Sequence, residues 1–172
     1  NDLSSRSITG FSHDFVSAIH QDRHGNHWVG TFGGLNQIPS GSSSVVDITN
    51  EGESFDTVHV LLEDREGNIW VGTNDGLARL RRKTFAIFDR RHGLSHNNVV
   101  SVIEDHRGRI CIGTRGGGLN FLQDGHVLPR KETFEGDSLI MAMAQSGNGG
   151  MWLTAENVLK VFHYTEAGVR SY

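Results

Sequence analysis

Histidine, aspartate and cysteine are the side chains of this sequence whose types and spacing suggest metal binding or catalysis. The 172 residues include 10 histidines, and three of them, His20, His24 and His27, are close together. We expect His20 on a strand and the other two on either side of a tight turn, so their side chains diverge. No H-E-x-x-H or C-x-x-C motif accompanies them. The sequence therefore predicts no metal site and no cofactor.

The remaining reactive groups are better explained by structure than by catalysis. Asp22, Asp64 and Asp105 each precede a glycine by three residues. One carboxylate per turn is fewer ligands than calcium requires, so we expect these side chains to stabilise turns. The single cysteine, Cys111, lies in a strand pattern and is expected to be a buried, unreactive thiol. No G-x-S-x-G motif or phosphate-binding loop is found, so the sequence predicts no enzyme.

Charge and hydrophobicity exclude further classes. The formal net charge is -4, and acidic and basic residues are interspersed, which argues against a nucleic-acid partner. No apolar run approaches the roughly 20 residues that cross a bilayer. The single cysteine leaves the redox compartment open. The sequence starts with Asn-Asp-Leu-Ser-Ser rather than methionine, so we expect a piece cut from a larger protein.

An internal repeat indicates which elements position these residues. Similar segments begin at Val16, Val58, Val99 and Leu139. The anchor residues of the four copies recur every 41 or 42 residues, and they are Trp28, Trp70, Cys111 and Trp152. A period of about 40–45 residues is typical of a four-stranded propeller blade.

The pattern inside each copy favours strands over helices. A β-rich run is followed by an Asp-x-x-Gly turn, a second run such as Ile69–Thr73, a glycine-containing turn and a third run. Fourth strands are predicted at residues 45–48, 84–88, 126–130 and 168–172. We therefore predict an all-β propeller segment over residues 1–172, with four four-stranded antiparallel blades at about 12–50, 54–90, 95–131 and 136–172. Stacked blades bury the tryptophans between sheets. The residues with a predicted structural role are Trp28, Trp70, Trp152, Gly25, Gly67, Gly108, Asp22, Asp64 and Asp105.

The string D-x-x-G-x-x-W-[VI]-G-T-x-x-G-L resembles the two-component regulator propeller repeat. The first two copies match it throughout, whereas the third has Cys111 for tryptophan and the fourth has Thr154 and Asn157 for glycines. The resemblance implies the periplasmic or extracytoplasmic sensing region of a membrane-anchored histidine kinase or diguanylate cyclase. Such proteins usually carry more blades. The chain is therefore a fragment, a compact four-bladed ring or a half that closes by dimerising. Because an open row leaves sheet faces exposed, we expect self-association or further blades.

The loops on one rim of the blades are the candidate ligand site. By analogy with other propellers, the connections from the second to the third strand and from one blade to the next form this rim. The candidate binding residues are Phe32, Asn74, Arg115, Glu156, His96 and Asn97. The first four occupy equivalent positions but differ in chemistry. We expect a sensor module for a small molecule such as a saccharide or peptide. A non-catalytic protein-interaction or dimerisation scaffold is the alternative, with these residues as ordinary solvated loops. A propeller lyase or hydrolase, with acid and base groups converging near the channel, is the least favoured alternative.

Overall fold

Four four-stranded antiparallel sheets make up the structure, and the strands of each sheet pair in chain order. The computed structural model describes residues 7–48, 55–81, 84–129, 139–147, 149–155, 160–165 and 167–172. Within these residues the sequence folds as an all-β row of propeller blades, which confirms the predicted fold class. No helix of the described residues is long and apolar enough to span a membrane.

The sixteen strands of the described residues divide evenly among the blades. The first blade contains β1 (Val16–Gln21), β2 (His27–Thr31), β3 (Gly34–Ile38) and β4 (Val46–Asp47). The second contains β5 (Val58–Glu63), β6 (Ile69–Thr73), β7 (Leu77–Arg81) and β8 (Thr84–Phe88). The third contains β9 (Val99–Glu104), β10 (Ile110–Thr114), β11 (Gly118–Gln123) and β12 (His126–Val127). The fourth contains β13 (Ile140–Gln145), β14 (Met151–Ala155), β15 (Val161–Thr165) and β16 (Gly168–Ser171). The fourth strands lie where they were predicted, although β4 and β12 have only two residues each.

The hairpin between the first and second strands has the same Asp-x-x-Gly turn in the first three blades. In the second blade the Gly67 amide donates to the Asp64 carbonyl at 3.0 Å, and Gly67 has a φ of 83°. That left-handed conformation favours glycine. The Asp64 carboxylate accepts the Asn68 amide at 2.8 Å and the Trp70 indole N–H at 2.7 Å. The aspartate therefore fixes both the turn and the orientation of the indole ring.

The third blade replaces this indole bond with a guanidinium. Where the first two blades have asparagine and tryptophan, the third has Arg109 and Cys111. Arg109 Nε donates to Asp105 at 2.7 Å, and its guanidinium lies 4.8 Å from the ring centroid of Phe121. Burial opposes ionisation of Asp105, but the hydrogen bonds from Arg109 and from the turn amides outweigh it and lower the pKa of Asp105. The turn thus keeps an ionised carboxylate without a tryptophan beside it.

Three buried hydrophobic clusters join consecutive blades. Trp28 and Val58 belong to the cluster between the first and second blades, and Trp70 and Val99 to the next. The third cluster contains Cys111 and joins the third and fourth blades. Within the described residues the hydrophobic seams thus join the blades in chain order.

A glycine on each second strand lets the next blade approach closely. A Cβ added at Gly72 would lie 2.7 Å from Val99 Cγ1, and one at Gly113 would lie 2.8 Å from Ile140 Cγ2. Gly30 faces Val58 in the same way. Because real Cβ atoms do not approach this closely, the inner strand of each following blade packs directly on glycine.

Trp152 departs from the expectation that all three tryptophans lie between sheets. Trp28 and Trp70 are 8% and 3% exposed, whereas Trp152 is 37% exposed. It packs against His163 and Tyr172 of its own sheet. The fourth tryptophan position is therefore half open, because no second sheet among the described residues covers it.

Ion pairs connect neighbouring blades on the rim opposite the candidate site. Arg23 of the first turn donates its amide to Glu63 at 2.9 Å and pairs with the same carboxylate through its guanidinium. Arg65 repeats this arrangement with Glu104, at 3.0 Å and 2.8 Å. At the third seam, Gln145 takes the glutamate position, and its side chain donates to the Glu104 carbonyl instead.

A short 3-10 helix, Arg90–His92, links the second blade to the third. The Asp89 carboxylate caps it and accepts Arg91 Nε at 2.8 Å and the Arg91 amide at 2.8 Å. The Arg91 side chain lowers the pKa of Asp89 from 3.8 to about 2. The cap therefore depends on an ionised carboxylate.

Replacing Asp89 by asparagine should remove part of the acid sensitivity of the fold. The folded-state pKa lies below the unfolded value, so the stabilisation by Asp89 is complete above about pH 4 and is lost as the pH falls toward 2. We expect the stability difference between the wild type and Asp89→Asn to shrink over that interval. Urea denaturation at several pH values measures it, with Glu66→Gln as the control. A difference that stays constant with pH would contradict this role of the carboxylate.

Candidate functional site

The candidate rim is built from two kinds of loop, which contact each other in the first and third blades. In the first blade, the Ser12 amide donates to Asn36 Oδ1 at 3.1 Å, and Asn36 Nδ2 donates to the Ser12 hydroxyl at 2.8 Å. The Ser12 hydroxyl also lies 2.8 Å from that of Thr31. In the third blade, Ser95 makes the same contacts with Asn120 and Thr114. These buried side chains fix the entering loop against the second and third strands.

Aromatic side chains dominate the rim of the first blade. The rings of Phe15 and Phe32 are 4.3 Å apart, and the ring of His13 lies 6.2 Å from Phe32. The Phe32 amide donates to the Phe15 carbonyl at 3.1 Å. Phe15 and Phe32 are 58% and 45% exposed. Two large apolar rings are thus held at the surface by the frame beneath them, which provides a stacking surface.

The rim of the second blade is polar. His59 lies at an irregular position of β5, where the register with β6 shifts between Val58 and Val60. His59 Nε2 is 2.8 Å from Asn74 Oδ1. Both side chains can take part in further hydrogen bonds, through the Asn74 amide and the second imidazole nitrogen. This pair presents hydrogen-bonding groups at the place where the first blade presents aromatic rings.

The rim of the third blade carries an imidazole and a guanidinium. His96 Nδ1 accepts the Asn98 amide at 3.0 Å, and its ring lies against Gly116, where an added Cβ would be 3.1 Å away. The Arg115 amide donates to the Asn98 carbonyl at 2.8 Å, and Arg115 forms a β-bridge with Leu139 at the start of the fourth blade. Asn97 differs from these residues because its Oδ1 accepts the Arg90 amide at 2.9 Å, so it supports the link between blades.

The predicted binding residues are therefore held in place blade by blade. Phe32, Asn74, Arg115 and His96 lie in loops of the rim, each in contact with its own blade or its entering loop. Glu156 lies outside the described residues. Sequence reasoning missed Phe15 and His59, which touch Phe32 and Asn74. The sequence feature that could have identified His59 is its position as a polar residue in an otherwise apolar strand.

The groups considered for metal binding and nucleophilic chemistry occupy structural positions. His20 is on β1, His27 is on β2, and His24 lies in the turn between them. No group of three or more His, Cys, Asp or Glu side chains that could hold a metal ion occurs in the described residues. Cys111 is fully buried, and burial, with a smaller contribution from Asp105, raises the pKa of its thiol far above the usual range. The thiol is therefore protonated at neutral pH.

Solved structures with the same fold include a lyase and the extracellular domains of signalling receptors. Virginiamycin B lyase from Staphylococcus aureus superimposes with a TM-score of 0.76 at 14% identity, over 92% of this chain and 55% of the lyase. A protein named as the extracellular domain of a hybrid two-component system from B. thetaiotaomicron has a TM-score of 0.75 at 16% identity, over 91% of this chain and 25% of its own. A second such domain from B. thetaiotaomicron matches at 22% identity with a TM-score of 0.54, over 97% of this chain and 29% of its own.

These likenesses establish the fold and the relative length of the chain. The chain spans about half of the lyase and about a quarter of the first extracellular domain. A search of curated proteins with the sequence found no match.

The sequence itself identifies the repeats. The two-component regulator propeller family matches residues 10–33 and 52–75, which cover the second strands of the first two blades and the turns before them. The aspartate and tryptophan of these matched segments form the hydrogen bond to the indole N–H, and their second-strand glycine packs against the next blade. The chain therefore consists of four β-propeller blades, of which the first two match the two-component regulator propeller family.

Proposed function

We propose that the chain is a sensing module of an extracytoplasmic signalling receptor and that it binds a small molecule on the candidate rim. The observation that carries the proposal is the contrast between a repeated frame and unlike side chains. The Ser–Asn–Thr contacts recur in the first and third blades, while the loops they hold display Phe32 in one blade and Arg115 in the other. A fixed frame that presents different groups suits recognition of a specific ligand.

The chemistry of the rim favours a saccharide or a peptide. Exposed phenyl rings pack against the apolar faces of sugars or side chains. The Asn74 amide and the imidazoles donate and accept hydrogen bonds, and the Arg115 guanidinium donates to carbonyl and carboxylate groups. A ligand that spans the first three blades would meet apolar, neutral polar and cationic groups in turn.

Calorimetric titration against panels of glycans and peptides tests this proposal. For a compound that binds the wild type, we expect Phe32→Ala and Asn74→Ala each to weaken the affinity by about tenfold, which is about 1.4 kcal/mol. Glu66→Ala is the matched control, because this exposed residue lies in a turn on the opposite rim. A compound that binds equally well to all three variants would place the ligand elsewhere.

We propose that this module is not an enzyme. The likeness to virginiamycin B lyase supports a shared fold. It does not indicate a shared activity, because the sequence identity is only 14%. A protein-interaction role is the second candidate function, and it is favoured by the exposed hydrophobic residues at the two ends of the row.

A further inference from the structure

We propose that the rim of the third blade contains a subsite for a carboxylate, in which His96 and Arg115 hold the acidic group of the ligand. This inference rests on the proposed function and narrows it, because it assigns one part of the rim to one chemical group. It comes from a comparison of the first and third blades, which share the Ser–Asn–Thr frame but display different side chains on it.

A histidine occupies the same position in the entering loops of both blades. In the first blade, His13 Nδ1 accepts the Phe15 amide at 2.9 Å, and in the third, His96 Nδ1 accepts the Asn98 amide at 3.0 Å. A ring nitrogen that accepts an amide N–H has a free lone pair, so the proton of the neutral imidazole lies on Nε2. Both rings are therefore held in the tautomer that offers an N–H donor at Nε2.

The neighbours of this imidazole differ between the two blades. In the first blade, the ring of Phe32 lies 6.2 Å from that of His13 and contacts Phe15, and the Phe32 amide donates to the Phe15 carbonyl. In the third blade, the same backbone hydrogen bond joins the Arg115 amide to the Asn98 carbonyl at 2.8 Å. Asn98 and Arg115 thus replace the two phenylalanines. The first rim suits an apolar group, whereas the third suits an anion.

The loop between β10 and β11 brings Arg115 close to this imidazole. It comprises residues 115–117, one residue more than the equivalent loop of the first blade, residues 32–33. Gly116, which follows Arg115, has a φ of 110°, and a Cβ added to it would lie 3.3 Å from His96 Nε2. Because glycine has no side chain, the loop can lie directly against the ring. The Nε2–H donor is therefore located beside the residue that follows the arginine.

A second arginine adds positive charge at the same place. The Arg90 amide donates at 2.9 Å to the side chain of Asn97, the residue that follows His96. The backbones of Arg90 and Arg115, whose side chains are both exposed, are thus anchored on the loop that carries His96. The Asp89 carboxylate, next to Arg90 in the chain, is engaged by hydrogen bonds within the 3-10 helix. Clustered positive charge of this kind attracts an anion.

A carboxylate matches these donors. A guanidinium forms two parallel hydrogen bonds with a carboxylate, and the imidazole Nε2–H supplies a further donor. Uronic acids carry this group among saccharides, and acidic side chains and the C-terminus carry it among peptides. The shared chemistry is the carboxylate, and the two sources are distinguished by the probes below.

An NMR titration of the 172-residue chain with two matched pairs of probes tests the proposal. D-glucuronate and D-glucose differ in a carboxylate, as do N-acetylalanine and its amide. At concentrations on the order of 1–50 mM, we expect at least one of the two carboxylates to shift the signals of the His96 imidazole and the Arg115 Nε–H group. Its neutral counterpart should leave these signals unchanged. The responding pair identifies the source as a uronic acid or a peptide.

Three variants assign the binding to named groups. His96→Asn retains an acceptor in place of Nδ1 but removes the Nε2–H donor, and Arg115→Gln removes the guanidinium. Each should weaken the binding of the responding carboxylate by at least about fivefold. Arg107→Gln is the control, because Arg107 is exposed in a turn on the opposite rim. Circular dichroism verifies that each variant is folded. The proposal is overturned if neither carboxylate shifts the His96 signals, or if Arg115→Gln binds as tightly as Arg107→Gln.

The titrations separate failure of this subsite from failure of the proposed function. A glycan or peptide whose affinity falls with Phe32→Ala but not with Arg115→Gln or His96→Asn would overturn the carboxylate subsite and leave the sensing module intact. Carboxylate binding that depends on Arg115, without any compound whose affinity depends on Phe32, would support the subsite and contradict a ligand that spans the first three blades.

Discussion

Replacing Trp70 by alanine should destabilise the protein by about 3–5 kcal/mol. Trp70 is 3% exposed and belongs to the seam between the second and third blades. The Arg79 guanidinium lies 5.6 Å from its ring, and its indole N–H is bonded to Asp64. Truncation would leave a cavity between two sheets and an aspartate without one of its donors. Equilibrium denaturation in urea measures the loss.

The same substitution at Trp152 is the matched control for this prediction. Trp152 has the equivalent position in its blade but is 37% exposed, and no second sheet in the described part of the chain covers it. We expect Trp152→Ala to cost about 1 kcal/mol or less, because little buried contact is lost. Equal effects at the two positions would show that the seams do not carry the stability of the row.

Replacing Asp64 by alanine should cost about 3 kcal/mol, the second-largest effect that we expect. Its carboxylate is 3% exposed and accepts the Asn68 amide, the Asn68 side chain and the Trp70 indole, at 2.7–2.8 Å. Without the carboxylate these donors stay buried and lose their partner. Glu66→Ala in the same turn is the control, since Glu66 is exposed and should have little effect.

A double-mutant cycle isolates the indole bond from the turn. Trp70→Phe keeps an aromatic ring in the seam but removes its N–H group. If the hydrogen bond from the Trp70 indole to Asp64 stabilises the fold, Asp64→Ala should destabilise the Trp70→Phe variant less than it destabilises the wild type. The expected difference is about 1 kcal/mol or more. Additive effects of the two substitutions would mean that Asp64 acts through the turn alone.

The repeat predicted the fold because each blade is defined by local chemistry. The Asp-x-x-Gly turns, the β-rich runs and the 41- or 42-residue period fixed the strands and their order. Contacts between blades have no such local signature. Arg23 and Glu63 are 40 residues apart, and neither belongs to a recognisable motif. The exposure of Trp152 was not predictable either, because it depends on whether another sheet covers the fourth blade rather than on the sequence around the indole.

The repeat predicted which loops carry the candidate site, and the structure added the side chains that these loops contact. Counting along the repeat placed Phe32, Asn74 and Arg115 in equivalent loops, and the structure shows which neighbours orient them. His59 was missed because an irregular strand pairing, which has no clear sequence signature, turns its side chain toward Asn74. The functional role of these residues stays a prediction.

The unequal contacts along the opposite rim have a consequence for the salt dependence of the seams. Arg23–Glu63 and Arg65–Glu104 are ion pairs that join the first three blades, whereas among the described residues the last seam has the neutral amide of Gln145 at the equivalent place. Because dissolved salt screens partly exposed ion pairs but not an amide hydrogen bond, we expect added salt to weaken the first two seams more than the last.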